Sequence, residues 1–260
     1  MSDLPVLVDI KGKVLQITLN RPDNRNMMNH EVLPAFREAI TQARDNKSLR
    51  CLIITGSGNS FCSGADFRSD IHGDEPCLPH ESILNFYQPF LSILKIEVPV
   101  IAAMNGHAIG GGLGLALVSD IRIANKNSKY GANFVRLGLH SGMAISYMLP
   151  RIVGLPIANE LLYTGRLFNG DKALEIGLAN YSLEGVEVIE KAWELAREIE
   201  ANAPVAVKMI KRSIYRGFDW NPINAAEMEA HCQSRTSEME DAKEGIAALL
   251  EKRKPEFQGR

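Results

Sequence analysis

"NGHAIGGGLGLALVSD" (residues 105–120) joins a strand-like "VPVIAAM" (98–104) to an apolar helical run. Three consecutive glycines at such a junction leave the first N–H groups of the helix without intrahelical acceptors, pointing where a ligand oxygen can sit. Glycine lets that oxygen come close. Tight helix packing accounts for a lone Gly-Gly-Gly equally well, so a second element is needed to choose between the two. A nucleotide site is not that element. In either G-x-G-x-x-G frame Leu115 or Leu117 falls where the last glycine belongs, and the chain has no G-x-x-x-x-G-K-[ST].

Outward from this stretch, strands alternate with helices. "VLVDIKGKVLQITLN" (6–20) predicts a hairpin turning at Lys-Gly-Lys, with Leu15, Ile17 and Leu19 alternating against Val14, Gln16 and Thr18. A helix follows, with Asn29 able to cap it, Pro34 tolerable in its first turn, and Val32, Leu33, Phe36 and Ile40 on one stripe. "LRCLIITG" (49–56), "VPVIAAM" and "DIRIAN" (120–125) are buried strands, the first two separated by a helix over 81–95. Crossovers of this kind predict a largely parallel sheet. From about Gly142 the pattern is nearly all helix. The expected organisation is an α/β core over residues 1–200 and a helical C-terminal region over 201–260, with no internal repeat or low-complexity linker.

Composition narrows the partners. The 260 residues are 45% hydrophobic and 23% charged, with 29 Lys+Arg against 31 Asp+Glu and a net charge of −2. No single-sign block points to nucleic acid or an anionic membrane, which leaves a small molecule as the default partner. Cys51, Cys62, Cys77 and Cys232 are too scattered for a disulfide framework, and no C-x-x-C points to zinc or redox chemistry. The start "MSDLPVLVDI" lacks a secretory leader pattern, and a cytoplasmic protein is expected.

The second element is "SFCSGADF" (60–67), a turn-rich stretch after the strand "CLIITG". Here the N–H of Ala65, beside Gly64, is placed to face the same oxygen from another loop. Two converging backbone donors are what an oxyanion hole requires.

With these segments in hand, the chain resembles the crotonase (enoyl-CoA hydratase/isomerase) superfamily. "LNRPDNRNMMNHEV", "FCSGADF", "VPVIAAMNGHAIGGGLGLALVSDIRIA" and "EGIAALLEKRKPEF" carry the likeness, in order and across essentially the whole chain. The resemblance implies a spiral of β-β-α units, a C-terminal helical region that serves trimerisation and capping, homotrimers or dimers of trimers, and an acyl-CoA thioester as ligand. It implies no cofactor beyond the coenzyme A of the substrate. It places the N–H groups of Ala65 and Gly111 at the thioester oxygen, and Asn26, Met27, Ala65, Asp66 and Phe67 along the bent coenzyme A. Lys252 or Lys254 would meet the phosphates.

The chain also departs from that pattern. Hydratases of the superfamily use two glutamates for proton transfer and water addition. Here the first position is Gly114 and the second, with Gly131 and Gly138 fixing the alignment, is Phe134. Neither can carry a proton. His140 and Ser141 in "LGLHSGM" are the best-placed substitutes, a histidine titrating near neutrality. Asp70, His72, Glu75, His80 and Glu81 read mainly as a solvated face. Cys62 reads as a buried filler, His107 as packed, and His30 as a first-turn residue. Phe134, Leu139 and Met143, with Gly114 and Ser141, outline an expected acyl pocket.

Three functions fit these residues. One is a hydratase, isomerase or hydrolase with a relocated acid/base. Another is a decarboxylase of a malonyl-CoA-type acid, in which loss of CO2 creates the enolate without a base. The third is binding of acyl-CoA without turnover.

Overall fold

Apolar strands that are buried throughout need cover on both faces, and the computed structural model, which describes residues 3–66 and 78–260, supplies it. The hairpin forms as expected: β1 (Val6–Lys11) and β2 (Val14–Leu19) pair antiparallel, and α1 (Val32–Asp45) follows. Asn29 Oδ1 accepts from the N–H groups of Glu31 (3.1 Å) and Val32 (3.0 Å), satisfying donors that α1 leaves open. Val32, Phe36, Ala39, Ile40 and Ala43 form its buried stripe.

Thereafter the chain repeats a unit of two strands and a helix: β3 (Cys51–Gly56), β4 (Ser60–Cys62), α2 (Pro79–Leu91), then β5 (Val100–Met104), β6 (His107–Ile109), α3 (Gly111–Leu117). Next come β7 (Ile121–Asn125), β8 (Tyr130–Gly131), the helices α4 (Ile145–Val153), α5 (Leu155–Thr164) and α6 (Gly170–Glu175), and β9 (Tyr181–Leu183). The first strand of each unit joins a six-stranded sheet in the order β1-β2-β3-β5-β7-β9, parallel beyond the first pair. The second joins a separate parallel sheet, β4-β6-β8. This is the β-β-α spiral.

The smaller sheet corrects the sequence reading, which ran the strand 98–104 directly into the glycine helix. Strand β6 intervenes, and β4, β8 and β9 were likewise not predicted. The turns between the two sheets are held by asparagines. Asn105 Oδ1 accepts from Gly56 N (3.0 Å) while its Nδ2 donates to Gly58 O (2.9 Å), and Asn125 Nδ2 donates to Asn105 O (2.7 Å).

Alternation divides the larger sheet between two cores. Val14, Cys51, Ile53, Ile101, Ala103 and Ile123 face Val188, Ala192 and Ala196 of α7 (Gly185–Glu200). Leu52, Ile54, Val100, Ala102 and Met104 face the interior of the spiral. The remaining helices, α8 (Pro204–Gly217), α9 (Pro222–Ser237) and α10 (Glu240–Glu251), are different. Neither α8 nor α9 buries a residue, and Ile210, Ile214, Phe218, Ile223, Leu249 and Leu250 are exposed. Among the described residues no helix is long and apolar enough to cross a membrane.

Candidate active site

The smaller sheet positions the site. Strands β4 and β6 lie side by side and parallel, with Ser60 opposite His107 and Cys62 opposite Ala108. Their carboxyl ends therefore release Ser63-Gly64-Ala65 and Gly110-Gly111 as neighbouring loops. Gly64 (φ +87°) and Gly110 (φ +56°) both sit where a side chain is disfavoured. A Cβ built on Gly64 would lie 3.1 Å from Gly111 N, so the two loops are in backbone contact. Gly112 is held as tightly, since a Cβ there would collide with the carbonyl oxygen of Cys62.

Hydrogen bonding fixes where the amides point. Met28 N donates to Gly64 O (2.8 Å) and Asp66 N donates to Met28 O (3.1 Å), a parallel bridge centred on Ala65. In that geometry the N–H of Ala65 itself turns away from Met28. Among the described residues neither Ala65 N nor Gly111 N meets an acceptor. Two free donors from adjacent loops can receive one oxygen and favour its negative form, each worth about 2.7–4 kcal/mol in a catalysed reaction.

Neither of the two positions expected to carry a glutamate holds an acid, Gly114 and Phe134 standing there. Gly114 is buried in α3, and a Cβ there would lie 2.5 Å from Met143 Cβ and 3.4 Å from Ile145 Cγ1. Met143, 2% exposed, occupies that room and reaches to 3.7 Å from a Cβ position at Gly111. Strand β8 pairs with β6 and delivers Phe134 to the same end of the sheet, with its Cζ 3.8 Å from a Cβ position at Gly110. Phe134 and Ser141 are half-buried, whereas Leu139 and His140 are exposed. His140 Nδ1 lies 2.7 Å from Ser141 O, which makes Nδ1 the protonated nitrogen, donating to that carbonyl. Cys62 is fully buried, and burial pushes its thiol up to about 12.

The profile of the enoyl-CoA hydratase/isomerase family matches residues 9–260. The chain belongs to this family. It is 35% identical to the short-chain-enoyl-CoA hydratase of Clostridium acetobutylicum over 252 residues, covering 96% of each chain. It is 33% identical to the (E)-benzylidenesuccinyl-CoA hydratase of Thauera aromatica, covering 98% of this chain and 100% of that one. Among solved structures, the enoyl-CoA hydratase of Bacillus anthracis superposes with a TM-score of 0.92 at 31% identity, covering 98% of this chain and 100% of that one.

The remaining residues that the resemblance to the enoyl-CoA hydratase/isomerase family singled out have varied surroundings. Asn26 is fully buried and left-handed (φ +53°), and its side chain is spent within the protein. Its Oδ1 accepts from Arg21 N (2.8 Å), and its Nδ2 donates to Ser57 O (3.0 Å) and Ser60 O (2.7 Å), binding the preceding loop to the β3–β4 turn. Met27 and Asp66 are half-buried, Asp66 N donating to Met28 O, while Lys252 and Lys254 point into solvent. Phe67, with Asp70, His72, Glu75 and Cys77, lies outside the described residues. His80 is exposed, and Glu81 caps α2 by accepting from Leu78 N (3.0 Å). Met28, whose Sδ lies 3.4 Å from a Cβ position at Gly111, and Tyr87 on α2 were not picked out from sequence.

His107 is a packed acceptor. Its Nδ1 accepts from Lys129 N (2.9 Å), and burial, then the charges of Lys129 and Arg25, hold its pKa below the ordinary 6.5. The folded state therefore favours the neutral ring, and its contribution is complete above about pH 6.5 and lost as pH falls through the lowered value. The Tm should drop between pH 7.5 and 5.5, and less steeply in His107→Asn, whose Oδ1 keeps the acceptor without titrating. Equal slopes in the two proteins would remove His107 from the pH dependence.

Proposed function

We propose that the chain binds an acyl-CoA thioester and stabilises its enolate oxygen between the N–H groups of Ala65 and Gly111, in a reaction other than two-carboxylate hydration. The reading is carried by the backbone contact between the two loops that present these unpartnered amides, with Met143 filling the space beside Gly114. A thioester suits such a hole because its enolate places charge on oxygen, where preorganised donors act most strongly. The thioesters in the names of the Clostridium and Thauera relatives support the ligand class. Met27 and Asp66 line the coenzyme A, Asn26 shapes their loop, and Lys252 or Lys254 meets the phosphates. Coenzyme A enters as part of the substrate and the site needs no resident cofactor.

Decarboxylation of a malonyl-CoA-type acid is the second reading, favoured by Gly114 and Phe134. Departure of CO2 leaves the enolate without a base, so only the hole and a proton donor are required.

The exposed apolar side chains of α8–α10 supply the second part of the proposal, a homotrimer or a dimer of trimers. A cleft of about 550 Å³ between α8 and α9, lined by Ile210, Ile214, Phe218 and Trp220, is the kind of surface that a neighbouring copy covers. One preparation tests both parts. Sedimentation should give a multiple of three of the 28.7 kDa chain; a monomer would overturn the assembly. Mass spectrometry then follows crotonyl-CoA, longer 2-enoyl-CoAs and methylmalonyl-CoA in heavy-oxygen water. A heavy-oxygen hydroxyacyl product indicates a relocated acid/base, and loss of CO2 a decarboxylase. Binding without any mass change would leave a carrier.

A further inference from the structure

Neither Gly114 nor Phe134 can give a proton, and one unused polar group lies against the segment that walls the site. Tyr87 stands on α2, which is anchored to the core by Phe86, Phe90 and the 5.0 Å stacking of Phe90 on Phe36. The Tyr87 ring packs edge-on against Phe86, with centroids 6.2 Å apart. Its hydroxyl is directed at the backbone of Gly142, so closely that a Cβ on that residue would overlap Oη. Gly142 precedes Met143, the side chain that fills the room beside Gly114 and walls the hole at Gly111. Among the described residues Tyr87 Oη has no hydrogen-bond partner, although a phenol that lies against the core normally finds one.

We propose that Tyr87 Oη delivers the proton to the α-carbon of the thioester enolate held at Ala65 and Gly111. This rests on the reading of the hole given above. The Oη–H bond breaks as the Cα–H bond forms. The phenolate keeps the electron pair and, being half-exposed, recovers its proton from water, so no other co-reactant is needed. An enolate carbon is a far stronger base than a phenolate, which makes the transfer downhill. Burial raises the Tyr87 pKa above its usual 10, so the donor form is the resting form at neutral pH. The other groups near this end of the sheet fit less well: His140 is exposed and its Nδ1–H serves Ser141 O, Cys62 is sealed, and Phe134 has no proton.

The test is Tyr87→Phe, assayed with the thioester that the wild type turns over, in D2O. Because Oη holds no bond within the described structure, the variant should fold with an unchanged Tm and bind the thioester within two-fold. Its kcat should fall by about 10²–10⁴, the usual contribution of a positioned acid. Residual product should lose the facial selectivity of deuterium at Cα that a fixed donor imposes. An unchanged kcat and selectivity in Tyr87→Phe, with Gly111→Pro impaired, would overturn the donor and spare the hole. The same losses in His140→Ala, and none in Tyr87→Phe, would move the donor to His140. Normal turnover by Gly111→Pro would remove the hole itself, and a wild type that turns over none of these thioesters would overturn both proposals.

Discussion

Gly111→Pro should lower kcat/KM by about 10²–10³, the loss that follows removal of one oxyanion donor, while Gly111→Ala stays close to wild type. The contrast isolates the N–H. A Cβ at position 111 meets Met28 Sδ at 3.4 Å, Gly64 Cα at 3.6 Å and Met143 Cγ at 3.7 Å, all ordinary contacts, so alanine fits and keeps the donor. Proline at the first helical position is also tolerated by the backbone, because the amide there has no intrahelical acceptor. It removes the hydrogen and puts a ring carbon where the oxygen would bind. Thermal unfolding of both variants near the wild-type Tm, with activity lost only in the proline form, supports the donor role. Equal activity in the two would place the oxygen elsewhere.

The larger sheet was legible in the sequence for a physical reason. "CLIITG", "VPVIAAM" and "DIRIAN" are strands covered by α7 on one side and the interior on the other, so their apolar runs are nearly unbroken. The smaller sheet has no such signature. Its strands Ser60–Cys62, His107–Ile109 and Tyr130–Gly131 are too short for a period of two to show. Yet their parallel register is what brings Ala65, Gly111 and Phe134 to one place. Gly-Gly-Gly and Ser-Gly-Ala-Asp were legible as places of close backbone approach, which is what their glycines signal. Tyr87 could not be read, since nothing in the pattern of a helix over 81–95 says that its hydroxyl meets Gly142.

Met143 was named from sequence only as part of an acyl pocket; that its Cβ closes the space at Gly114 was not legible, and it controls the remaining large effect. Met143 (φ +58°) and Ala144 (φ +56°) are consecutive left-handed residues without glycine, a conformation costing about 1–2 kcal/mol each. The start of α4 holds them there: Ile145 N donates to Gly142 O (3.1 Å), and Tyr147 N (3.0 Å) and Met148 N (2.9 Å) donate to Ala144 O. The Met143 Cβ that blocks Gly114 is thus fixed by backbone and cannot swing aside as a flexible tip would.

Gly114→Glu therefore should not simply install a carboxylate. It forces two Cβ atoms to 2.5 Å and buries an acid among Met143, Ile145 and the rest of α3. The overpacking alone should destabilise the fold by about 1–3 kcal/mol, with no gain in water addition to crotonyl-CoA. Met143→Gly alone loses a buried side chain but relieves the left-handed strain, since glycine is at ease at positive φ. In the double variant the missing Cβ at position 143 admits the introduced carboxylate side chain, which takes up volume that Met143 vacates. Urea denaturation should then show the pair more stable than the sum of its single effects by about 1 kcal/mol or more, the coupling expected of contacting residues. Additive losses would mean that Gly114 is not closed by Met143. Heavy-oxygen incorporation by Gly114→Glu alone would go further, showing the loop to be pliable and the missing acid to be a matter of one residue instead of a remodelled pocket.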